Sequence, residues 1–473
     1  MLNYFSKFFT SKAISYYLAV LVLVNIVFFN HFMPLIWWLF GFVAVLGFFK
    51  GVPSVIRSWE NFTEKRFLKK LFWTAFIIRA IYVIVMYFLY TALTGIPFEF
   101  GAADAGFYHA IAEFGANSLW AGKFNLQEQF LTQNAEIDFS DMGYPVYLSV
   151  IYALTGKSIL IARIIKAAIS AWMCVMIYKL ATRNFGEKVG RMSSIFCMLM
   201  PNFIFYTSIH LKEIEMVFLT VWFVERADYL LRGKDFSFKA ILPILLIAGA
   251  LFMFRTVLAA TCMFSLFTAV FLTSSKVLKM EKKFVLGIWV FVTVGYFVGG
   301  SVATEIQEVW NSRRGNQEAS LEWRSTREGG NKFAKMAGAA VFAPLIFVIP
   351  FPTMIYIVGQ DNQQMMNGSN YVKNIMAFFV IYVLFYLIRK DKWRDYLLLG
   401  SFTIGYLMVI AFSAFAHSER FHLPALPFEL IFAAFGVSLI EKKERKYFDW
   451  WMMFIFVAII AWSWFKLAGR GMV

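Results

Sequence analysis

The sequence predicts an all-α protein that crosses a membrane many times. Its residues are 60% hydrophobic and only 16% charged, whereas a soluble domain carries roughly 25% charged residues. Apolar runs of about 18 residues or more, which are long enough to span a bilayer as helices, recur along the chain. Lys and Arg gather in the short loops between these runs, as the positive-inside rule describes for polytopic membrane proteins.

The apolar runs predict about 13 transmembrane helices. Lys7 and Lys12 precede the first run as in a signal peptide, but no small-residue cleavage site follows it, so we expect this helix to be retained. The predicted spans are 13–29, 33–50, 71–93, 158–181, 191–208, 213–231, 239–254, 256–274, 283–302, 371–388, 395–415, 422–440 and 449–466.

The basic loops set the orientation. Because loops rich in Lys and Arg stay on the inner side, their alternation with loops poor in these residues places the N-terminus inside and the C-terminus outside. The net charge of +16 follows from these loops, so it indicates a membrane partner and no nucleic acid. The basic loops are 51–70, 182–191, 232–239, 275–283, 389–394 and 441–447.

One apolar segment does not fit this alternation. Residues 337–357, AGAAVFAPLIFVIPFPTMIYI, are apolar enough to span, but a span here would place the basic loop RKDKWRD outside. Pro344, Pro350 and Pro352 favour a broken helix. We therefore predict a re-entrant or interfacial element on the outer side.

The two long outer segments, 95–157 and 303–370, hold most of the mass outside the membrane. The stretches FYHAIAEF and GYPVYLSVIYAL in the first of them predict amphipathic helices that lie on the membrane surface.

Isolated charged residues map to the outer ends of the spans, together with Asp104 in GAADAGFYHAIAEFGA. A charge at membrane depth is costly and is usually retained for a partner or a pathway, although each cation alone is equally well explained by a place among the lipid headgroups. Several cations near a carboxylate suit the binding of an anionic lipid phosphate, with the carboxylate as a catalytic base beside it. The cations are Arg163, Lys166, Lys212, Arg255 and Arg420.

Metal-ligating patterns are weak. The histidines also map near outer ends of spans but have no close spacing, and the cysteines fall inside apolar runs without metal-ligand or disulfide spacing. Asp104 together with Asp138 or Asp141 offers oxygen ligands for a divalent ion. The residues in question are His31, His109, His210, His417, His422, Cys174, Cys197 and Cys262.

Five stretches carry a family resemblance. The first three, in chain order, are DAGFYHAIAEFG, GYPVYLSVIYALTGKSILIARIIKAAISAWMCVMIYKLATRNFGEKVGR and PNFIFYTSIHLKEIEMVFLTVWFV. FVIPFPTMIYI and ERFHLPALPFELIFAAFG come later. In this order they resemble the GT-C-type membrane glycosyltransferases, which include the dolichyl-phosphate-mannose protein mannosyltransferases and the bacterial lipid A aminoarabinose transferases.

The resemblance covers roughly residues 70–440, in patches. It implies a GT-C-like core at 71–440, an extra N-terminal transmembrane pair with a basic inner loop at 1–70, and a C-terminal basic loop with the last helix at 441–473. It also implies an integral protein of the bacterial inner (cytoplasmic) membrane with its active site facing outward.

The resemblance implies transfer of a sugar from a polyprenyl-phosphate donor lipid to an acceptor on the outer face, with inversion as the lipid phosphate leaves. By position, Asp104 matches the base that deprotonates the acceptor, and Lys212, Arg255 and Arg420 are candidates to bind the phosphate. Further candidate substrate-binding residues in the matching stretches are His109, Tyr144, Arg163, Glu213 and His422.

The chain departs from the family at the acidic residue. Relatives often have a paired motif, Asp-Glu or Asp-x-Asp, where this chain has ADAG. The sequence therefore assigns no cofactor, and a divalent cation (Mg or Mn) with Asp104 and Asp141 as ligands is the alternative. The sugar and the acceptor, whether protein, lipid or glycan, are not specified by the sequence.

Two other functions stay open. A polymerase or ligase of lipid-linked glycans would depend more on cations such as Arg420 or the Arg313/Arg314 pair than on Asp104. A lipid or solute transporter, or a membrane subunit of a larger complex, would leave the lipid chemically unchanged.

Overall fold

The computed structural model describes residues 5–133, 139–233, 238–273, 342–413 and 415–472, with scattered residues between 274 and 341. Every regular element in these ranges is helical. The α-helices are α1 (Lys7–Val27), α2 (Leu35–Trp59), α3 (Glu64–Thr94), α4 (Ala103–Trp120), α5 (Leu126–Gln133), α6 (Phe139–Thr155), α7 (Ile159–Phe185), α8 (Glu187–Leu199), α9 (Pro201–Ser208), α10 (Glu213–Arg232), α11 (Phe238–Phe254), α12 (Thr256–Leu272), α13 (Asp361–Met365), α14 (Asn367–Arg389), α15 (Leu397–Ala411), α16 (Glu419–His422), α17 (Leu426–Leu439) and α18 (Arg445–Ala468).

Seven helical segments of the described chain are long and apolar enough to cross a membrane, which confirms the prediction of an all-α polytopic membrane protein. The number of 13 spans and the inner N-terminus stay predictions. The predicted span 283–302 lies mostly outside the described residues. The seven segments are α1, α2, α3, α7, α14, Trp393–Ala411 and Lys442–Ala468, and α11, α12 and α17 are shorter apolar helices.

The predicted span 191–208 is two helices, α8 and α9, because the chain breaks before Pro201. Proline has no N–H to donate to the carbonyl oxygen of Cys197, four residues earlier. Arg79 on α3, which is fully buried, donates to the Cys197 oxygen at 3.1 Å and to the Met198 oxygen at 3.0 Å. A cation at membrane depth thus satisfies the carbonyl groups that the helix break leaves free.

The first two helices pack against the middle of the chain. A Cβ on Gly368 of α14 would lie 2.2 Å from the carbonyl oxygen of Gly41 on α2, so only glycine permits this approach of the two backbones. Beside it, the Tyr17 hydroxyl donates to Asn367 Oδ1 at 2.6 Å, and Asn367 Nδ2 donates to the Trp37 carbonyl at 3.0 Å. The N-terminal pair therefore shares one core with the helices that follow.

The proline-rich segment is not a continuous helix where the structure describes it, from residue 342 to 357. It contains the short 3-10 helix Ala343–Leu345 and then continues irregularly. Lys373 on α14 donates to the Ile349 carbonyl at 2.6 Å, and Asn374 donates to the Pro350 carbonyl at 3.1 Å. Polar side chains of α14 thus bond the backbone that the broken element exposes. Its place on the outer side stays a prediction.

The two predicted outer helices are present as α4 and α6. They pack closely, since a Cβ on Gly115 of α4 would lie 2.0 Å from Ser149 Oγ on α6. Gly101, with φ of +63°, makes the turn that leads into α4. This turn places Asp104 in the first turn of α4.

Candidate active site

Asp104 is held by a single arginine. Its Oδ2 accepts a hydrogen bond of 2.7 Å from Arg420 Nη1, and half of its side chain, 52%, is exposed. Its place in the first turn of α4 favours a negative charge, because helix N-termini carry partial positive charge.

Arg420 lies between two carboxylates. Its Nε is 2.9 Å from Oε1 of Glu213, the first residue of α10. Burial lowers the pKa of Arg420, but the Glu213 and Asp104 carboxylates outweigh this effect and raise the pKa above the ordinary value for arginine. The guanidinium is therefore a permanent positive charge at the site.

Lys212 forms a second ion pair next to the first. Its side chain is buried and pairs with Asp141 on α6, and its Nζ also donates to the Phe254 carbonyl at 3.0 Å. Burial lowers the pKa of Lys212, although the Asp141 carboxylate opposes this effect. The Lys212 ammonium lies 5.9 Å from the ring centroid of Tyr108, one turn along α4 from Asp104.

Arg255 joins these two pairs through an aromatic ring. Its guanidinium carbon lies 4.9 Å from the centroid of the Phe421 ring, and that of Arg420 lies 5.3 Å from the same centroid. Of the three predicted phosphate-binding cations, Arg420 contacts Asp104 directly, Arg255 shares the Phe421 ring with Arg420, and Lys212 lies near Tyr108 on the helix of Asp104.

A second polar cluster supports the loop that carries Lys212. Lys166 Nζ bonds the Tyr144 hydroxyl at 3.2 Å and the Ile209 carbonyl at 2.9 Å, and it also contacts the Leu211 carbonyl. Arg163 Nη2 donates to the Pro97 carbonyl at 2.6 Å. The predicted residues Arg163 and Tyr144 thus lie in this supporting layer.

Two histidines of this layer bond to one tyrosine. His109 Nδ1 lies 2.8 Å from the Tyr152 hydroxyl, which lies 3.1 Å from His210 Nε2. Burial lowers the pKa of His109. Burial, together with the charges of Arg163 and Lys166, holds the pKa of His210 well below its usual range. His109 therefore lies behind the site and not beside Asp104.

The structure does not bring His422 to Asp104. This side chain is buried in the core, with Nδ1 3.0 Å from Lys373 Nζ and Nε2 2.7 Å from the Ala416 carbonyl oxygen.

The carboxylates fit cation pairing better than metal binding. Asp104 and Asp141 each face a basic side chain. The described ranges contain no group of three His, Cys, Asp or Glu side chains that could hold a metal ion, and Asp138 lies outside them. Metal dependence stays a prediction.

Asp104 and Arg420 line a cavity of about 260 Å³, here called the Asp104 cavity. Glu99, Asn362 and Glu419 also line it, and the sequence analysis did not select them as site residues. Glu419 was recognisable as the neighbour of Arg420, whereas no local pattern marks Glu99 or Asn362. The remaining lining residues are Phe100, Gly101, Ala102, Ala103, Phe205, Tyr206, Ile209, Leu211, Gln363 and Ser418.

An apolar groove of about 470 Å³ adjoins this cavity. It runs between α2, α3 and α9, and its lining includes Leu39, Ile81, Tyr82 and Ile204. Phe205 lines both the apolar groove and the Asp104 cavity. A polar site and an apolar groove therefore meet at one aromatic side chain.

No protein-family model and no curated protein matches the chain. Among solved structures, ArnT from Cupriavidus metallidurans bound to undecaprenyl phosphate is similar at 13% identity and a TM-score of 0.45, covering 79% of this chain and 61% of that chain. The same protein in the apo state is similar at 15% identity and a TM-score of 0.43, covering 72% and 56%.

Both matches are to ArnT. The chain spans about three fifths of the length of that protein. At this level of similarity, the chemistry of the site rests on this chain's own residues.

Proposed function

We propose that this chain is a membrane glycosyltransferase that moves a sugar from a polyprenyl-phosphate donor to an acceptor on the outer face of the bacterial inner membrane. The observation that carries the proposal is the meeting of the Asp104 cavity with the apolar groove at Phe205. A donor of this class has a charged sugar phosphate at one end and a long apolar chain at the other. A polar cavity lined by Arg420, beside an apolar groove, matches both ends.

The cations supply the charge that a phosphate leaving group needs. Arg420 offers a planar guanidinium suited to phosphate oxygens, and Lys212 and Arg255 bring two further positive charges to the same region. In the proposed reaction the bond between the anomeric carbon and the phosphate oxygen breaks, and its electron pair leaves with the lipid phosphate. Fixed cations stabilise this developing negative charge.

Asp104 serves as the base in the same step. The acceptor hydroxyl oxygen attacks the anomeric carbon from the opposite side, its proton passes to the Asp104 carboxylate, and the sugar inverts. A carboxylate within hydrogen-bond reach of the hydroxyl is the geometry that general-base catalysis requires. The exposed half of Asp104 is open to an acceptor that arrives from the outer side.

Arg420 couples binding of the donor to release of the Asp104 carboxylate from its ion pair. Arg420 Nη1 bonds Asp104, while its Nε faces Glu213. A phosphate that binds Arg420 competes with Asp104 for the guanidinium and frees the carboxylate for the acceptor. Glu213 keeps the guanidinium oriented during this exchange.

The decisive experiment uses purified protein in nanodiscs with a panel of polyprenyl-phosphate sugars, with and without EDTA. Mass spectrometry of the lipid measures loss of the sugar, and undecaprenyl phosphate, the lipid bound to ArnT, is the first carrier to test. We expect one donor to lose its sugar in the wild type but not in Asp104→Asn. Asp449→Asn is the matched control, because Asp449 is also a partly exposed aspartate paired with a cation, Lys12.

The other outcomes separate the competing functions. Turnover that survives Asp104→Asn but not Arg420→Ala favours a glycan polymerase or ligase. No sugar loss from any donor, with tight lipid binding, favours a transporter or a membrane subunit. Loss of turnover with EDTA would assign a divalent ion to the reaction.

A further inference from the structure

A second polar cavity of about 260 Å³ lies next to the Asp104 cavity. It is here called the Trp462 cavity, after the residue of α18 that lines it. Its other walls come from the segment between Pro350 and Gln363, from residues 417–419, and from Trp323, Asn331, Phe342, Asn370 and Arg470. The last helix, which the family resemblance does not cover, therefore contributes to a site.

One wall of the Trp462 cavity is aromatic. The rings of Trp462 and Phe465 stack with centroids 5.4 Å apart and an angle of 12°, and Phe351 lies 6.2 Å from Trp462. The buried indole N–H of Trp462 has no hydrogen-bond partner in the described part of the chain. A buried tryptophan N–H normally finds an acceptor, so this donor is suited to a ligand oxygen.

A basic side chain lies beside the aromatic rings, since Lys466 Nζ is 5.5 Å from the centroid of the Trp462 ring. Lys466 Nζ donates to Thr353 Oγ1 at 2.5 Å and to Gln360 Oε1 at 2.9 Å. An ammonium has three N–H donors. Among the described residues these two bonds use two of the donors, which leaves the third for a ligand. Arg470 lies beside it, with Nη1 2.6 Å from the Lys466 carbonyl oxygen.

The two cavities share a wall. Gln363, Ser418 and Glu419 line both of them. An occupant of the Trp462 cavity therefore lies directly beside the Asp104 cavity, where the proposed reaction takes place. The apolar groove meets the Asp104 cavity elsewhere, at Phe205.

We infer that the Trp462 cavity binds the acceptor, as a saccharide that carries an anionic group. The inference rests on the proposed function and names its acceptor class. Stacked aromatic rings match the C–H faces of a sugar, and amides with the indole N–H match its hydroxyl groups. Lys466 and Arg470 match a carboxylate or phosphate on the saccharide.

The test measures binding of soluble probes to the protein in nanodiscs without a donor lipid, by saturation-transfer NMR. The probes are glucose, glucuronic acid, glucose 6-phosphate and inorganic phosphate. We expect both anionic sugars to bind at least tenfold more tightly than glucose and than phosphate alone. The ranking of the two anionic sugars then distinguishes a carboxylate from a phosphate on the natural acceptor.

Two variants assign the binding to this cavity. Lys466→Met should remove the tenfold preference for the anionic sugars and leave glucose binding unchanged, whereas Trp462→Phe should weaken binding of every sugar. The matched controls are Lys446→Met and Trp450→Phe, two exposed positions on the same helix. Arg470→Gln replaces Lys466→Met as the test if the latter lowers the melting temperature.

Polyprenyl-phosphate binding in the same variants separates this inference from the proposed function. Unchanged lipid binding in Lys466→Met supports an acceptor site, whereas loss of lipid binding assigns the cavity to the donor and overturns the inference. Equal binding of glucose and the anionic sugars also overturns it. If the protein consumes no donor, the proposed function fails. Saccharide binding that depends on Lys466 would still support the saccharide site in that case.

Discussion

Arg420 and Asp104 are hydrogen-bonded at 2.7 Å although 316 residues separate them in the chain. The contact joins the start of α4 to the short helix α16. It brings the candidate base and the best candidate phosphate ligand into one ion pair.

Asp104→Asn should lower the rate of sugar transfer at least about 100-fold, the lower end of what a general base contributes. The affinity for polyprenyl phosphate should not fall, because asparagine competes less strongly than aspartate for Arg420. Turnover of the donor and lipid binding by native mass spectrometry measure the two effects. Near wild-type turnover in this variant would remove Asp104 as the base, and Asp449→Asn should match the wild type.

Arg420→Gln should weaken polyprenyl-phosphate binding about 10- to 100-fold, since hydrogen bonds to charged groups are worth about 1.5–3 kcal/mol. Arg420→Lys should fall between this variant and the wild type, because lysine keeps the charge but loses the planar fork. Lipid titration in nanodiscs measures both. Equal affinity in wild type and Arg420→Gln would place the phosphate elsewhere, and Lys443→Gln, on an exposed loop, is the control.

Binding of polyprenyl phosphate should weaken at alkaline pH through Lys212. Because burial lowers the pKa of Lys212, its positive charge is lost at a lower pH than for an ordinary lysine, and the neutral form attracts phosphate less. Lys212→Arg keeps its charge over the whole range and should flatten the pH profile. A profile with the same alkaline fall in Lys212→Arg would mean that another group titrates.

Gly368→Ala should destabilise the protein by about 1–3 kcal/mol, the usual cost of overpacking. The new methyl group would lie 2.2 Å from the backbone oxygen of Gly41, which cannot move away without moving α2. Gly400→Ala is the control, since a Cβ there meets nothing within 4 Å. Thermal unfolding in detergent compares the two, and equal melting temperatures would contradict the close contact of α2 and α14.

Arg79→Met should also lower the melting temperature. It leaves the carbonyl oxygens of Cys197 and Met198 without their donor, and each buried unpaired group costs about 1–3 kcal/mol. Lys65→Met, at an exposed position on the same helix, should have little effect. If Arg79→Met unfolds at the same temperature as Lys65→Met, the arginine does not stabilise the break between α8 and α9.

The helices could be predicted because hydropathy and turn residues act locally. Long apolar runs predicted helices such as α3 and α14, and Asp104 stood out as an acidic residue beside such a run. The two outer amphipathic patterns corresponded to α4 and α6 for the same reason. The break at Pro201 was missed because the run around it is apolar on both sides of the proline.

Partners distant in the chain could not be predicted. Nothing near Arg79 indicates that it bonds carbonyl groups on α8, and nothing near Lys212 indicates Asp141. His422 and Arg420 lie two residues apart, yet one faces the core and the other the Asp104 cavity. The Trp462 cavity is likewise assembled from segments far apart in the sequence.

The contacts of α1 and α2 with α14 impose an order on biogenesis. Tyr17 and Asn367, which share a hydrogen bond of 2.6 Å, are 350 residues apart. A ribosome that inserts helices as it makes them releases α1 and α2 long before α14 exists. Until then, the polar side chains of Tyr17 and Asn25 lie in the membrane without their distant partners, Asn367 and the Met354 carbonyl. For most of translation, α1 and α2 therefore carry polar groups that lack their final partners. A membrane chaperone that shields polar groups in nascent helices would act at this stage.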